Sequence, residues 1–127
     1  MTRMLLALVL MASPAFAADP LAPPRTVEEM LGDVGVMNAA GEDLCSIILY
    51  EDEVPGGYRL EQYPGCEKPF PVMARVKAWR VYGNGEMTFA DAAGHDLVRF
   101  RGKPFTFTAV EPVDGIAKIW SAQEVAE

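Results

Sequence analysis

The sequence predicts an all-β fold: a small eight-stranded antiparallel up-and-down β-barrel with a short N-terminal helix. Three observations predict it. Apolar and polar residues alternate with a period of two: Met87 and Phe89 oppose Thr88 and Ala90, Val98 and Phe100 oppose Arg99 and Arg101, and Phe105, Phe107 and Ala109 oppose Thr106 and Thr108. Strands with one face on a core and one in water have this pattern. Gly83-Asn84-Gly85 separates two such runs, and both residue types accept the positive φ of a tight hairpin. Short runs with turn signals between them recur at regular spacing, and closing them into a barrel removes exposed edges.

The elements follow in order. Ala18–Arg25 carries three prolines, which forbid a helix and favour an extended arm. Thr26-Val27-Glu28-Glu29 matches a capping box with Thr26 at the N-cap, so Val27–Leu31 reads as one or two helical turns stopped by Gly32. The strands are then expected at Val34–Asn38, Leu44–Tyr50, Tyr58–Gln62, Val76–Tyr82, Glu86–Ala90, Asp96–Arg101, Phe105–Val110 and Ile116–Trp120. Glu51–Gly57, Ala92–His95 and Pro112–Gly115 read as turns, and Cys66–Pro71 as irregular. A barrel of about eight strands is just filled by its own side chains, and the inward residues here include Trp, Phe, Met, Ile and Leu. The interior is therefore expected to be packed.

The chain has 127 residues, 50% of them hydrophobic and 23% charged. That is one domain, and too apolar for disorder throughout. Eighteen acidic residues against eleven basic ones give a net charge of −7. Such a balance excludes binding to nucleic acid through phosphate neutralisation. A single histidine and two cysteines leave little material for a metal site or a nucleophile–base pair, and no nucleotide loop, catalytic serine motif or paired carboxylate appears. The chain reads as a non-enzyme without a cofactor, and as a monomer.

Residues 1–17, MTRMLLALVLMASPAFA, have the form of a secretory signal peptide. Arg3 supplies the positive end, Met4–Ala12 the apolar run, and Ala15-Phe16-Ala17 the small residues before a cleavage site at Ala17. The apolar run falls far short of the roughly 20 residues that span a bilayer, so no membrane span is expected. This divides the chain into 1–17, an arm and short helix over 18–31, and a barrel over 32–127. Export to the periplasm or the medium makes Cys45 and Cys66, the only two cysteines, most simply a disulfide. No CxxC spacing supports a reactive thiol instead.

Other residues have ordinary readings. His95 follows Gly94 in a turn and reads as solvated. Glu51-Asp52-Glu53 lacks the regular oxygen-ligand spacing of a calcium loop and reads as a solvated loop. Arg99, Arg101 and Lys103 share a face that suits an acidic partner or lipid headgroups, or simply solvation. Trp79 and Trp120 read as core anchors rather than a ligand platform.

Cys45-Ser46-Ile47-Ile48-Leu49, Tyr58-Arg59-Leu60, Gly65-Cys66, Pro71, Val76, Trp79-Arg80, Asn84-Gly85, Asp91-Ala92-Ala93-Gly94 and Phe100 occur in an order and spacing that resemble the bacterial alkaline proteinase inhibitors, secreted inhibitors of serralysin-type zinc proteases. The likeness runs from about Gly32 to Trp120. Two departures accompany it: no tryptophan follows Gly32, and the arm is rich in proline. The resemblance implies an eight-stranded barrel closed by a Cys45–Cys66 bridge. It also implies a secreted zinc metallopeptidase as partner. The contacting arm would be Ala18, Asp19, Pro20 and Leu21, led by the α-amine of Ala18. Two other readings stand beside it: an envelope barrel that binds a small or lipid ligand, and a structural envelope protein without inhibitory activity.

Overall fold

In a computed structural model of the chain, the described residues are 24–103 and 106–121. The expected leader at 1–17 and the arm residues Ala18–Leu21 lie outside them.

The described chain forms one helix, α1 (Pro24–Met30), and eight strands: β1 (Gly32–Met37), β2 (Asp43–Val54), β3 (Gly57–Gln62), β4 (Ala78–Val81), β5 (Met87–Ala90), β6 (Asp96–Lys103), β7 (Thr106–Val113) and β8 (Ile116–Ser121). The strands pair antiparallel in chain order, and β8 returns to pair with β1 through Val34 and Ser121, closing the barrel. The up-and-down barrel expected from the alternation is the observed fold.

The alternation also sets most of the core; β5 departs from it, since Thr88 and Ala90 are as fully buried as Met87 and Phe89. Ile47 and Leu49 of β2, Trp79 of β4, Met87 and Phe89 of β5, Phe100 of β6 and Ile119 of β8 are all essentially inaccessible to water. Phe89 and Phe100 meet edge to face with centroids 5.0 Å apart. The interior is thus filled by large side chains, as expected. Trp79 also meets its polar requirement: its indole N–H donates to the carbonyls of Tyr50 (3.0 Å) and Arg59 (3.1 Å). Both acceptors lie where the β2–β3 register shifts between Leu49 and Glu53.

Several boundaries differ from the sequence reading. The helix begins at Pro24 rather than at Val27, so Thr26 lies inside it and not at its N-cap. Proline's fixed φ suits the first helical turn, and a local count of prolines misses that exception. β2 runs on through Glu51–Glu53, which are exposed strand residues and not a loop. The turn shrinks to Pro55-Gly56, with Gly56 at φ +93. β7 runs through Pro112, where its pairing with β8 is irregular, as a proline without an N–H allows. The last hairpin turns at Asp114 (φ +50) and Gly115 (φ +92), the two positive angles of a type I′ turn.

Trp79 is the core anchor that was expected, but Trp120 is not. It is only half-buried and lies on the outer face of β8, where its indole covers Gly35 and donates to Asp43. In β8 the inward positions belong to Ile116 and Ile119.

Between β3 and β4 the chain passes through a short 3₁₀ turn, Pro71–Ala74. Gln62 Nε2 donates to the carbonyls of Met73 (2.8 Å) and Val76 (3.1 Å), tying this turn to the end of β3. Cys45 and Cys66 are joined, with Cα atoms 5.0 Å apart. The bridge fastens the same crossover to β2.

Candidate functional site

Three places are candidates: the base of the N-terminal arm, the polar outer face of β4–β6, and the surface trough beside the β2–β3 turn.

The arm leaves the described structure at α1. Val27 and Met30 are three residues apart, so they share one face of the helix. Both are buried in the barrel's hydrophobic cluster, while Glu28 and Glu29 between them are exposed. Burying two such side chains stabilises the docked helix by roughly 3 kcal/mol or more, enough to hold a seven-residue helix too short to persist alone. The Leu31 N–H donates to the Glu28 carbonyl at 3.4 Å. Gly32, at φ +110, then turns the chain directly into β1, and only glycine adopts that angle freely. The start of the helix is therefore held in a fixed place on the barrel. Glu28, Glu51, Glu53 and Tyr58 line the depression beside it.

The second candidate is the polar face. Glu86 is a buried carboxylate. It accepts from Arg99 Nη1 at 2.5 Å and from Arg101 Nε at 2.7 Å. Burial alone pushes its carboxyl up, but the hydrogen bonds and charges of the two guanidiniums outweigh that and hold it below the usual range. Asp96 accepts from Thr88 Oγ1 at 2.7 Å, from the Tyr82 hydroxyl, and from Arg99 Nη2 at 3.4 Å. Burial, then the bond to Asp96 and its charge, push the Tyr82 hydroxyl up. Arg99 also lies over the Tyr82 ring, 4.8 Å from its centroid. Arg99 and Arg101 are thus neutralised within the protein and do not form a free basic face. The sequence places Glu86 next to a hairpin turn and contains no sign of its burial; only the pairing of β5 with β6 brings the two arginines to it.

The third candidate, the trough, lies between the β2–β3 turn and the β5–β6 turn and holds Arg80. Arg80 Nη1 donates to the Gly94 carbonyl at 2.8 Å. His95 is exposed and bonds Asp91 at 3.1 Å, as a solvated turn residue does. Among the described residues no group of His, Cys, Asp or Glu side chains is placed to hold a metal. Nor does any helix among them have the length and apolarity to cross a membrane.

Two of the three candidates thus lie on one side of the molecule, since the depression beside α1 and the trough share Glu53 and Tyr58. The disulfide is in place, and the arm residues Ala18, Asp19, Pro20 and Leu21 fall beyond the described chain.

In comparisons with known proteins, the chain matches a family model described as "Protease inhibitor Inh" over residues 25–116. No curated protein and no solved structure matches.

Proposed function

The chain belongs to the protease inhibitor Inh family, and from that premise we propose that it is an exported, non-enzymatic inhibitor of a serralysin-type zinc metallopeptidase, acting through its N-terminal arm. The observation that carries this reading is the anchoring of α1. Val27 and Met30 fix the helix to a packed barrel, so the chain enters the described structure at a fixed point, Pro24. The packed interior supports the same reading. An interior filled by Trp79, Phe89 and Phe100 among the described residues favours an inhibitor over a barrel that holds a lipid or small ligand inside it.

In this proposal residues 1–17 are removed on export and Ala18 becomes the first residue. Six peptide steps separate Ala18 from Pro24, so the arm reaches at most about 21 Å from the helix. A catalytic zinc keeps one coordination position open for water. An α-amine with a pKa near 7.7–8.0 is in part neutral at pH 7 and competent as a ligand. Seated on the metal, it displaces the activated water and stops hydrolysis. Pro20 and Pro23 narrow the free arm's conformations and lower the ordering cost of binding. Export also fits the even pair of cysteines and their bridge.

The test is an inhibition assay against such a protease with protein that begins at Ala18. Deleting Ala18–Leu21 should abolish most inhibition and leave the melting temperature nearly unchanged. Adding one residue before Ala18 moves the amine by about 3.5 Å, against a zinc–nitrogen bond of about 2 Å, and should weaken inhibition severely. Equal inhibition by the parent, shortened and extended proteins rejects the arm mechanism.

A further inference from the structure

The depression beside α1, lined by Val27, Glu28 and Glu51, adjoins the trough, a second depression of about 430 Å³ that holds Arg80 and Ala93. Glu53 and Tyr58 line both. The two depressions therefore meet at Glu53 and Tyr58 and mark a path from α1 to Arg80. Its walls are pre-formed by close backbone contacts. A Cβ on Gly56 would stand 2.2 Å from the Asp91 carbonyl oxygen, and one on Gly57 would stand 2.5 Å from that of Trp79. The β2–β3 turn is thus pressed against the neighbouring backbone, and a binding partner meets a shape that need not be ordered first.

Arg80 sets the chemistry of this path. Three described arginines are half-buried: Arg59, Arg80 and Arg99. Arg59 holds Asp52 and Glu61, and Arg99 holds Glu86 and Asp96. Arg80 forms no ion pair with a carboxylate among the described residues; its guanidinium bonds the Gly94 carbonyl and lies 5.6 Å from the centroid of the Tyr82 ring. A guanidinium carries five N–H groups in a fork that matches a carboxylate, and one bond to a carbonyl leaves most of that capacity unused. Glu53 in the same trough is not paired to it, so the trough takes an acidic group only at its Arg80 end.

We propose that this path is a second docking surface for the target protease, continuous with the arm, and that Arg80 receives a carboxylate from the rim of the protease cleft. The inference rests on the inhibitor reading above. Because the chain carries a net charge of −7, an acidic rim group is repelled over most of its surface and accepted at Arg80. Arg80 thereby fixes the rotation of the barrel over the cleft and contributes to the choice of protease.

The experiment compares inhibition constants of the parent, Arg80→Gln, Arg80→Lys and Ala93→Trp proteins, all beginning at Ala18, against a serralysin-type zinc protease at two salt concentrations. Ala93 is exposed in the β5–β6 turn, so tryptophan there fills the trough without entering the core. The inhibition constant should rise about tenfold or more for Arg80→Gln and for Ala93→Trp, and less for Arg80→Lys. Added salt should weaken the parent more than Arg80→Gln. If the parent inhibits and both Arg80→Gln and Ala93→Trp inhibit equally well, the docking surface is wrong and the arm reading stands. A parent without inhibition overturns the inhibitor reading and this inference together. Should Arg80→Gln fail to fold, Ala93→Trp alone decides.

Discussion

Trp120 Nε1 donates to Asp43 Oδ2 at 2.9 Å, joining β8 to the first residue of β2 across the outer face of Gly35 in β1. The two partners are 77 positions apart in sequence, and the strand between them is the one on which the barrel closes. The bond therefore fastens the seam.

Gly35 leaves little room for a side chain beneath this bond. A Cβ there would stand 2.4 Å from both Trp120 Nε1 and Asp43 Oδ2. Gly35→Ala should therefore destabilise the protein by about 1–3 kcal/mol, the usual cost of overpacking. Trp120→Phe, which loses one exposed hydrogen bond, should cost about 1 kcal/mol or less. Chemical denaturation of both variants measures the difference, and a neutral Gly35→Ala would show that Trp120 does not pack on β1.

Met30 links stability to the direction of the arm. It is 2% exposed and belongs to the core cluster. Met30→Ala should cost about 2–3 kcal/mol and lower the melting temperature by roughly 10 °C. Under the proposed function it should also weaken inhibition at temperatures where the barrel remains folded, because α1 is then free to swing. Inhibition assays at 15 °C, with circular dichroism to confirm folding, separate the two effects.

Glu86 makes stability depend on acid. Its pKa is depressed in the folded protein, since Arg99 and Arg101 overcome the effect of burial. A depressed carboxylate stabilises fully above its unfolded pKa of about 4.3 and loses that contribution as pH falls through the folded value. Denaturation at pH 7 should show Glu86→Gln less stable than the parent by about 1–3 kcal/mol, because two guanidiniums lose their charged partner. The gap should narrow steadily below about pH 4. A gap of constant size from pH 7 to pH 3 would show that the charge of Glu86 is not what matters.

The Cys45–Cys66 bridge closes a loop across 21 positions. On the chain-entropy account it contributes roughly 3 kcal/mol, a large share of the net stability of a domain this size. Non-reducing mass spectrometry of the exported protein should find the two thiols oxidised. Reduction, or the double change Cys45→Ala and Cys66→Ala, should lower the melting temperature by roughly 10 °C or more.

How much the sequence reveals differs from element to element. The runs Met87–Ala90 and Asp96–Arg101 declare themselves as strands, because a period of two with a constant inner face has one structural solution. The core anchors Trp79, Phe89 and Phe100 follow from that pattern, as does the filled interior. The two cysteines announce a bridge by their even number, together with the expectation of export. Segments that depend on a neighbour are harder to read. Glu51–Glu53 has the composition of a loop, yet is drawn into β2 by pairing with β3 across the Pro55-Gly56 turn. Pro24 looks like part of an extended arm, yet opens a helix that exists because Val27 and Met30 find a hydrophobic surface.

Fold class, the strand order implied by short connections, most inner faces and the bridge are thus legible along the chain, because they rest on local pattern or on counting; the outward Trp120 and the doubly buried β5 are not. Which charges are spent within the protein, and which are not, depends on how the strands come together. Arg80 and Arg99 look alike along the chain, each an outward residue on a short strand. Strand pairing gives Arg99 the carboxylates of Glu86 and Asp96 and gives Arg80 a backbone carbonyl. A charge's partners are set by the exact register between paired strands, and period-two alternation fixes which face a residue takes but not which residue it meets across the strand.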